Sequence, residues 1–87
     1  MVKMSASDLG LESEVDRILS GKKYTFTHDS TPYYNKDGIL PSGPTYMEYV
    51  VPPTSGQGAG TARIIVSSNG EWYYTPDHHI TFIPFKP

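Results

Sequence analysis

The sequence predicts an α+β domain: one N-terminal amphipathic helix packed on a twisted antiparallel β-sheet. Three observations carry this prediction. Leu11, Val15, Ile18 and Leu19 recur at helical spacing, with Glu12, Glu14, Asp16 and Arg17 between them. From Thr45 onward the chain alternates in short aromatic and β-branched runs, the pattern of half-buried strands. Asn69-Gly70 stands between two such runs and is a strong signal for a tight hairpin. A chain of 87 residues is sized for one domain, 1–87, with one small core.

Residues 1–10 are small and polar, and are expected to be loosely ordered. The helix is placed near 10–20. Its acids come early, which suits the helix dipole, and Gly21 supplies a stop. Tyr24 to Pro44 is rich in turn formers and reads as a long tethered loop with aromatic anchors, a kind of segment that is often functional. In the strand from Thr45 to Pro52, Tyr46, Glu48 and Val50 share one face, and Met47, Tyr49 and Val51 the other. On this strand alone Glu48 reads as an exposed edge glutamate. Gly56-Gln57-Gly58-Ala59-Gly60 lacks the Gly-Lys-Ser/Thr ending of a phosphate-binding loop and runs into a strand, so it reads as a hairpin loop.

Thr61 to Ser67 is the next strand, with Arg63, Ile65 and Ser67 on one face. Glu71 to Phe85 reads as two short strands joined by a turn at Thr75-Pro76-Asp77, because Pro76 cannot donate to a ladder. The second strand is expected to resume at His78-His79. Neighbouring strand residues point to opposite faces, so only one of these histidines is expected to reach a given pocket.

Composition narrows the function. There is no cysteine, hence no disulfide and no thiolate metal site. Seven tyrosines, three phenylalanines and one tryptophan supply the apolar burial instead. A formal net charge of −2 argues against a nonspecific DNA binder, which would be basic. No apolar run is long enough to span a bilayer, and Met1-Val2-Lys3-Met4 is too short for a signal peptide. No stretch has metal-ligand spacing, so neither a metal nor a cofactor is expected. His28 reads as an ordinary loop histidine.

Four local patterns, in order, resemble the small microbial guanyl-preferring ribonucleases, the barnase-like family. Tyr34-Asn35-Lys36-Asp37-Gly38-Ile39-Leu40-Pro41 resembles the guanine-binding loop. Tyr46-Met47-Glu48-Tyr49 resembles the strand with the catalytic glutamate. Gly60-Thr61-Ala62-Arg63-Ile64-Ile65 resembles the strand with a phosphate-binding arginine. Tyr74-Thr75-Pro76-Asp77-His78-His79-Ile80-Thr81-Phe82 resembles the segment with the catalytic histidine. Three departures stand out. Ala59 occupies the place of a second arginine, Asp37 that of the base-reading glutamate, and His79 that of a tyrosine.

The resemblance implies the family fold and a metal-independent endoribonuclease acting on single-stranded RNA 3′ of guanosine. The RNA supplies its own nucleophile, the 2′-hydroxyl. Glu48 is implied as base, His78 as acid and Arg63 as the phosphate-holding cation, giving a 2′,3′-cyclic phosphate that water then opens. Tyr33, Tyr34, Asn35, Lys36 and Asp37 are implied to bind the base, with Tyr33 or Tyr34 stacking on it. His79 either contacts substrate, as the family tyrosine does, or is structural. Read separately, each residue has a plainer account: Arg63 pairs with Glu48 across the sheet, and His78 is a surface turn residue.

The alternatives to an enzyme are a weakened member that binds RNA or protein without turnover, and a structural module with an aromatic binding surface. The family further implies a monomer, no membrane partner, a small protein inhibitor, and secretion or delivery as a toxin domain of a larger bacterial protein.

Overall fold

The computed structural model describes residues 3–26, 29–53 and 60–87. The fold is α+β, as the periodicities predict. Among the described residues, two short helices, α1 (Ala6–Leu9) and α2 (Glu12–Leu19), lie before most of a six-stranded sheet. The strands are β1 (Met4–Ser5), β2 (Thr31–Tyr33), β3 (Tyr46–Val50), β4 (Arg63–Ser67), β5 (Trp72–Thr75) and β6 (Ile83–Lys86), in the order β1-β6-β5-β4-β3-β2.

Three sequence expectations are corrected in detail. Residues 4–9, expected to be loosely ordered, form β1 and α1. β1 runs parallel to β6, with Met4 opposite Phe85, so the sheet is mixed at this edge and antiparallel elsewhere. A capping box starts α1: Ser5 Oγ accepts from Asp8 N at 3.1 Å, and the Asp8 carboxylate accepts from Ser5 N at 3.0 Å. Within the long loop, Thr31–Tyr33 forms the opposite edge strand, β2. Its proline is tolerated because an edge strand needs no ladder donor on its outer side.

The helix near 10–20 is present as α2, ending at Ser20 with left-handed Gly21 beyond it. Leu11 and Val15 are buried, whereas Leu19 is exposed.

Alternation along the strands gives the sheet two different faces. On one, Ile64, Trp72 and Phe85 bury against Ala6, Leu11 and Val15, which fixes the helices there. On the other, Ile65 packs with Tyr46 and Leu40, flanked by Tyr33, Tyr73 and Phe82. Glu48 stands opposite Ile65, and Arg63 opposite Val50 and Thr75, so both charged side chains belong to this second face.

The far end of β3 is clamped by Asp29. Its buried carboxylate accepts from Val50 N at 2.9 Å, Tyr24 N at 3.0 Å and both terminal nitrogens of Arg17 at 3.1 and 3.2 Å. Arg17 also donates to Val50 O, tying α2 to the strand that carries Glu48.

Candidate active site

Glu48 is not on an edge. β3 lies between β2 and β4, and the carboxylate is only 6% exposed. A buried carboxylate needs partners, and two cationic or donor side chains supply them. Arg63 Nε lies 3.3 Å from Glu48 Oε2. This is the cross-sheet pair that the register allows, two residues along from the directly opposed position. Arg63 Nη1 donates to the carbonyls of Gly60 and Ala62, each at 2.9 Å, which holds the guanidinium beside the carboxylate. The second partner is His79, whose Nε2 lies 2.7 Å from the same Oε2.

The expectation that only one histidine reaches the pocket is overturned. β5 ends at Thr75 and β6 begins at Ile83, so the histidines lie in a loop and not at the start of a strand. Both have left-handed backbones, φ 58° for His78 and 75° for His79. The strict alternation of a strand therefore does not apply, and both rings turn toward Glu48. Their centroids are 4.7 Å apart. Glu48, His78 and His79 each offer a donor atom, all within 4.8 Å of one another. No sequence spacing revealed this set, because a loop reversal and a distant strand create it.

The loop is shaped by Thr75 and Asp77. Asp77 Oδ1 accepts from Thr75 Oγ1 at 3.1 Å, Ile80 N at 3.2 Å and Thr81 N at 2.8 Å. Thr75 Oγ1 in turn accepts from His79 N at 2.9 Å. These bonds, the one from Thr81 N foremost, hold the Asp77 carboxyl below the usual carboxylate range. Neither residue was singled out from sequence as functional. The signal available was Thr-Pro-Asp, a turn whose aspartate bonds to the backbone that follows.

Tyr33 is placed by β2 against His79, ring centroids 4.6 Å apart, and near Phe82 at 6.0 Å. Burial first, then the charges of Asp37 and Glu48, push its phenol above the ordinary value. Tyr33 thus forms the wall of the carboxylate site. Tyr34 is 75% exposed and free to stack on a planar ligand. Asn35 closes the loop: its Nδ2 donates to Leu40 O at 2.8 Å, and its Oδ1 accepts from Leu40 N at 3.1 Å. Gly38, with φ 66°, donates its N–H to Asn35 O at 3.0 Å. Lys36 and Asp37 sit exposed at the tip of this tight turn. A cavity of about 380 Å³ opens beside it, lined by Tyr33, Tyr34, Asn35, Pro44 and Tyr46 among others.

Of the residues singled out from sequence, Glu48, Arg63, His78, His79 and Tyr33 are brought together. Tyr34 and Asn35 line the adjoining cavity, while Lys36 and Asp37 are not among its lining residues. Ala59, the Gly56–Ala59 segment and His28 lie outside the described residues.

A buried carboxylate with a guanidinium and imidazoles, beside an aromatic cavity, is equipment for acid–base chemistry on an anionic ester. Comparison with known proteins agrees with that class. Residues 3–86 match the sequence profile of the ribonuclease family, and the chain belongs to that family.

The chain is 39% identical over 67 residues to guanyl-specific ribonuclease St of Saccharopolyspora erythraea, covering 75% of this chain and 66% of that protein. It is 34% identical over 71 residues to guanyl-specific ribonuclease Sa3 of Kitasatospora aureofaciens, covering 78% and 50%. The chain therefore spans about half to two thirds of the length of these relatives. Among solved structures, ribonuclease Sa2 in complex with mononucleotides superposes with a TM-score of 0.86 at 23% identity, covering 100% of this chain and 95% of that one. Ribonuclease Sa2 with guanosine-2′-cyclophosphate gives 0.83 at 26% identity, covering 100% and 98%.

Proposed function

We propose that the protein is a guanyl-preferring endoribonuclease. It cleaves single-stranded RNA 3′ of guanosine by transphosphorylation to a 2′,3′-cyclic phosphate, which it then hydrolyses. The observation that carries this reading is the buried Glu48 carboxylate, held by Arg63 and faced by two imidazoles on one open sheet face. Guanyl-specific relatives and a related enzyme described with guanosine-2′-cyclophosphate support it.

Glu48 takes the proton of the 2′-hydroxyl, and His78 protonates the departing 5′-oxygen. Arg63 stabilises the charge that develops on the phosphorane. In the second step water replaces the 5′-oxygen, and Glu48 and His78 exchange roles. The 2′-hydroxyl is an internal nucleophile, so these groups complete the reaction without a metal ion.

His79 orients Glu48 through its hydrogen bond and packs against the tilted Tyr33 ring, which supports a positioning role for the residue left open in the sequence. Guanine binds at the Tyr33–Leu40 turn, with Tyr34 stacking and Asp37 accepting from N1 and N2 of the base. The protein acts as a monomer outside the producing cell or as a toxin domain. That cell then needs a small protein inhibitor to cover the site.

The test is cleavage of the full set of dinucleoside phosphates in the presence of a chelator, with the products separated. GpN substrates should be cleaved fastest and should yield guanosine 2′,3′-cyclic phosphate before the 3′-monophosphate. Intact substrates that nevertheless bind would select a non-catalytic RNA-binding role. Equal rates on GpN and ApN would remove the base preference.

A further inference from the structure

We infer that Glu48, His78 and His79 form a binding site for a divalent cation of the zinc class, and that its occupation shuts the site down. The binding claim goes beyond the proposed cleavage. Only its inhibitory consequence rests on that reading.

The donor set is one carboxylate and two imidazoles, all within 4.8 Å of one another. Metal–nitrogen and metal–oxygen distances in zinc sites place neighbouring ligands roughly 3.3 Å apart. One pair here is already closer than that, His79 Nε2 to Glu48 Oε2 at 2.7 Å. A zinc ion would replace the proton these two atoms share and spread them slightly. His78 is exposed, and its ring can swing in to complete a three-ligand face with one position open to water.

Two neutral imidazoles and one carboxylate suit zinc, copper or nickel. Magnesium prefers oxygen ligands and keeps its waters. The Arg63 guanidinium beside the same carboxylate opposes a second cation, so affinity falls below that of a structural zinc site. The occupant would engage the carboxylate and imidazole that the cleavage needs free.

The experiment is calorimetric titration of chelator-stripped protein with zinc chloride at neutral pH, with magnesium chloride as a parallel arm. Histidine Cε1–H signals are followed by NMR during the same titration. We expect saturable one-to-one zinc binding, perturbation of the His78 and His79 signals, and no response to magnesium. His79→Tyr and His78→Gln should each weaken binding about tenfold or more, a loss at least as large as that from removing a ligand's hydrogen-bonding partner. His28→Ala should leave binding unchanged.

No saturable zinc binding, signals shifting first at His28, or unchanged affinity in both site variants would each overturn the proposal. The NMR arm uses the unaltered protein, so it decides even where a variant misfolds. Zinc binding without RNA cleavage would sink the ribonuclease reading and leave this site standing. Cleavage that zinc does not suppress, or that a chelator does not restore, would overturn the inhibitory role.

Discussion

The backbone at His78 offers a test in which stability and activity should move in opposite directions. A side chain beyond glycine in the left-handed region costs about 1–2 kcal/mol, and His78 sits there at φ 58°. Its ring is exposed and faces His79, so the side chain contributes little packing to offset that strain. His78→Ala keeps the strain and removes the imidazole; His78→Gly removes both.

Glycine also loses about 0.5–1 kcal/mol more entropy on folding. Taking the midpoints of the two costs, the glycine variant should therefore exceed the alanine variant in stability by about 0.75 kcal/mol. For a domain of this size each kcal/mol moves Tm by about 4–8 °C, which sets the expected gap at a few degrees. Both variants should lose cleavage of GpN substrates about 10²-fold or more, because both lack the acid. Thermal unfolding followed by circular dichroism reads the first effect, and steady-state cleavage the second. An alanine variant as stable as the glycine variant would refute the left-handed geometry. Full activity in either would refute the catalytic assignment of His78.

Further expectations bear on the same face. Cleavage by the wild type should follow a bell in pH; Glu48→Gln should flatten its acidic limb and His78→Gln its basic limb, each with roughly a 10²-fold loss in rate. Asp37→Ala should lower kcat/KM for GpN more than for ApN, and an equal loss on both would show that the loop does not read the base. Asp29→Ala leaves the buried Val50 N–H without its acceptor and takes from Arg17 one of its two carboxylates, Glu14 remaining at 3.0 Å, and urea unfolding should show a loss of about 1–3 kcal/mol. The Asp77 carboxyl is held low in the folded protein, so the stability it adds is present above the ordinary aspartate range and lost as pH falls through its lowered folded value. Asp77→Asn should remove that acid-range dependence, as urea midpoints at about pH 5 and about pH 2 would show.

The strands that the sequence marked clearly, β3, β4 and β5, are those whose period-2 pattern faces a core on both sides. The elements it did not mark depend on distant partners. β1 has two residues, and only the pairing of Met4 with Phe85 at the other end of the chain makes it a strand. β2 contains Pro32, which argues against a strand until the segment is placed at an edge. The short α1 did carry a local sign, the Ser5–Asp8 capping box, inside a stretch read as loose. The two histidines depart from alternation for a different reason: Thr75 and Asp77 hold them in a reversed loop, and left-handed backbone at two consecutive non-glycine positions has no periodic signature.

The same register logic explains why the site is tied to the core and not merely attached to it. Ile64 and Ile65 are adjacent and both fully buried, one against the helices and one under Tyr46 and Leu40. A slip of β4 by one residue would exchange those faces and carry Arg63 away from Glu48. The apolar pair that specifies the strand register therefore also specifies the distance between the guanidinium and the carboxylate. His79 lies outside that ladder, and its 2.7 Å approach to Glu48 depends on the Thr75–Asp77 bonds and the Tyr33 ring instead. Substitution of Thr75 or Asp77 should accordingly shift the imidazoles, while the carboxylate and guanidinium move only with the sheet.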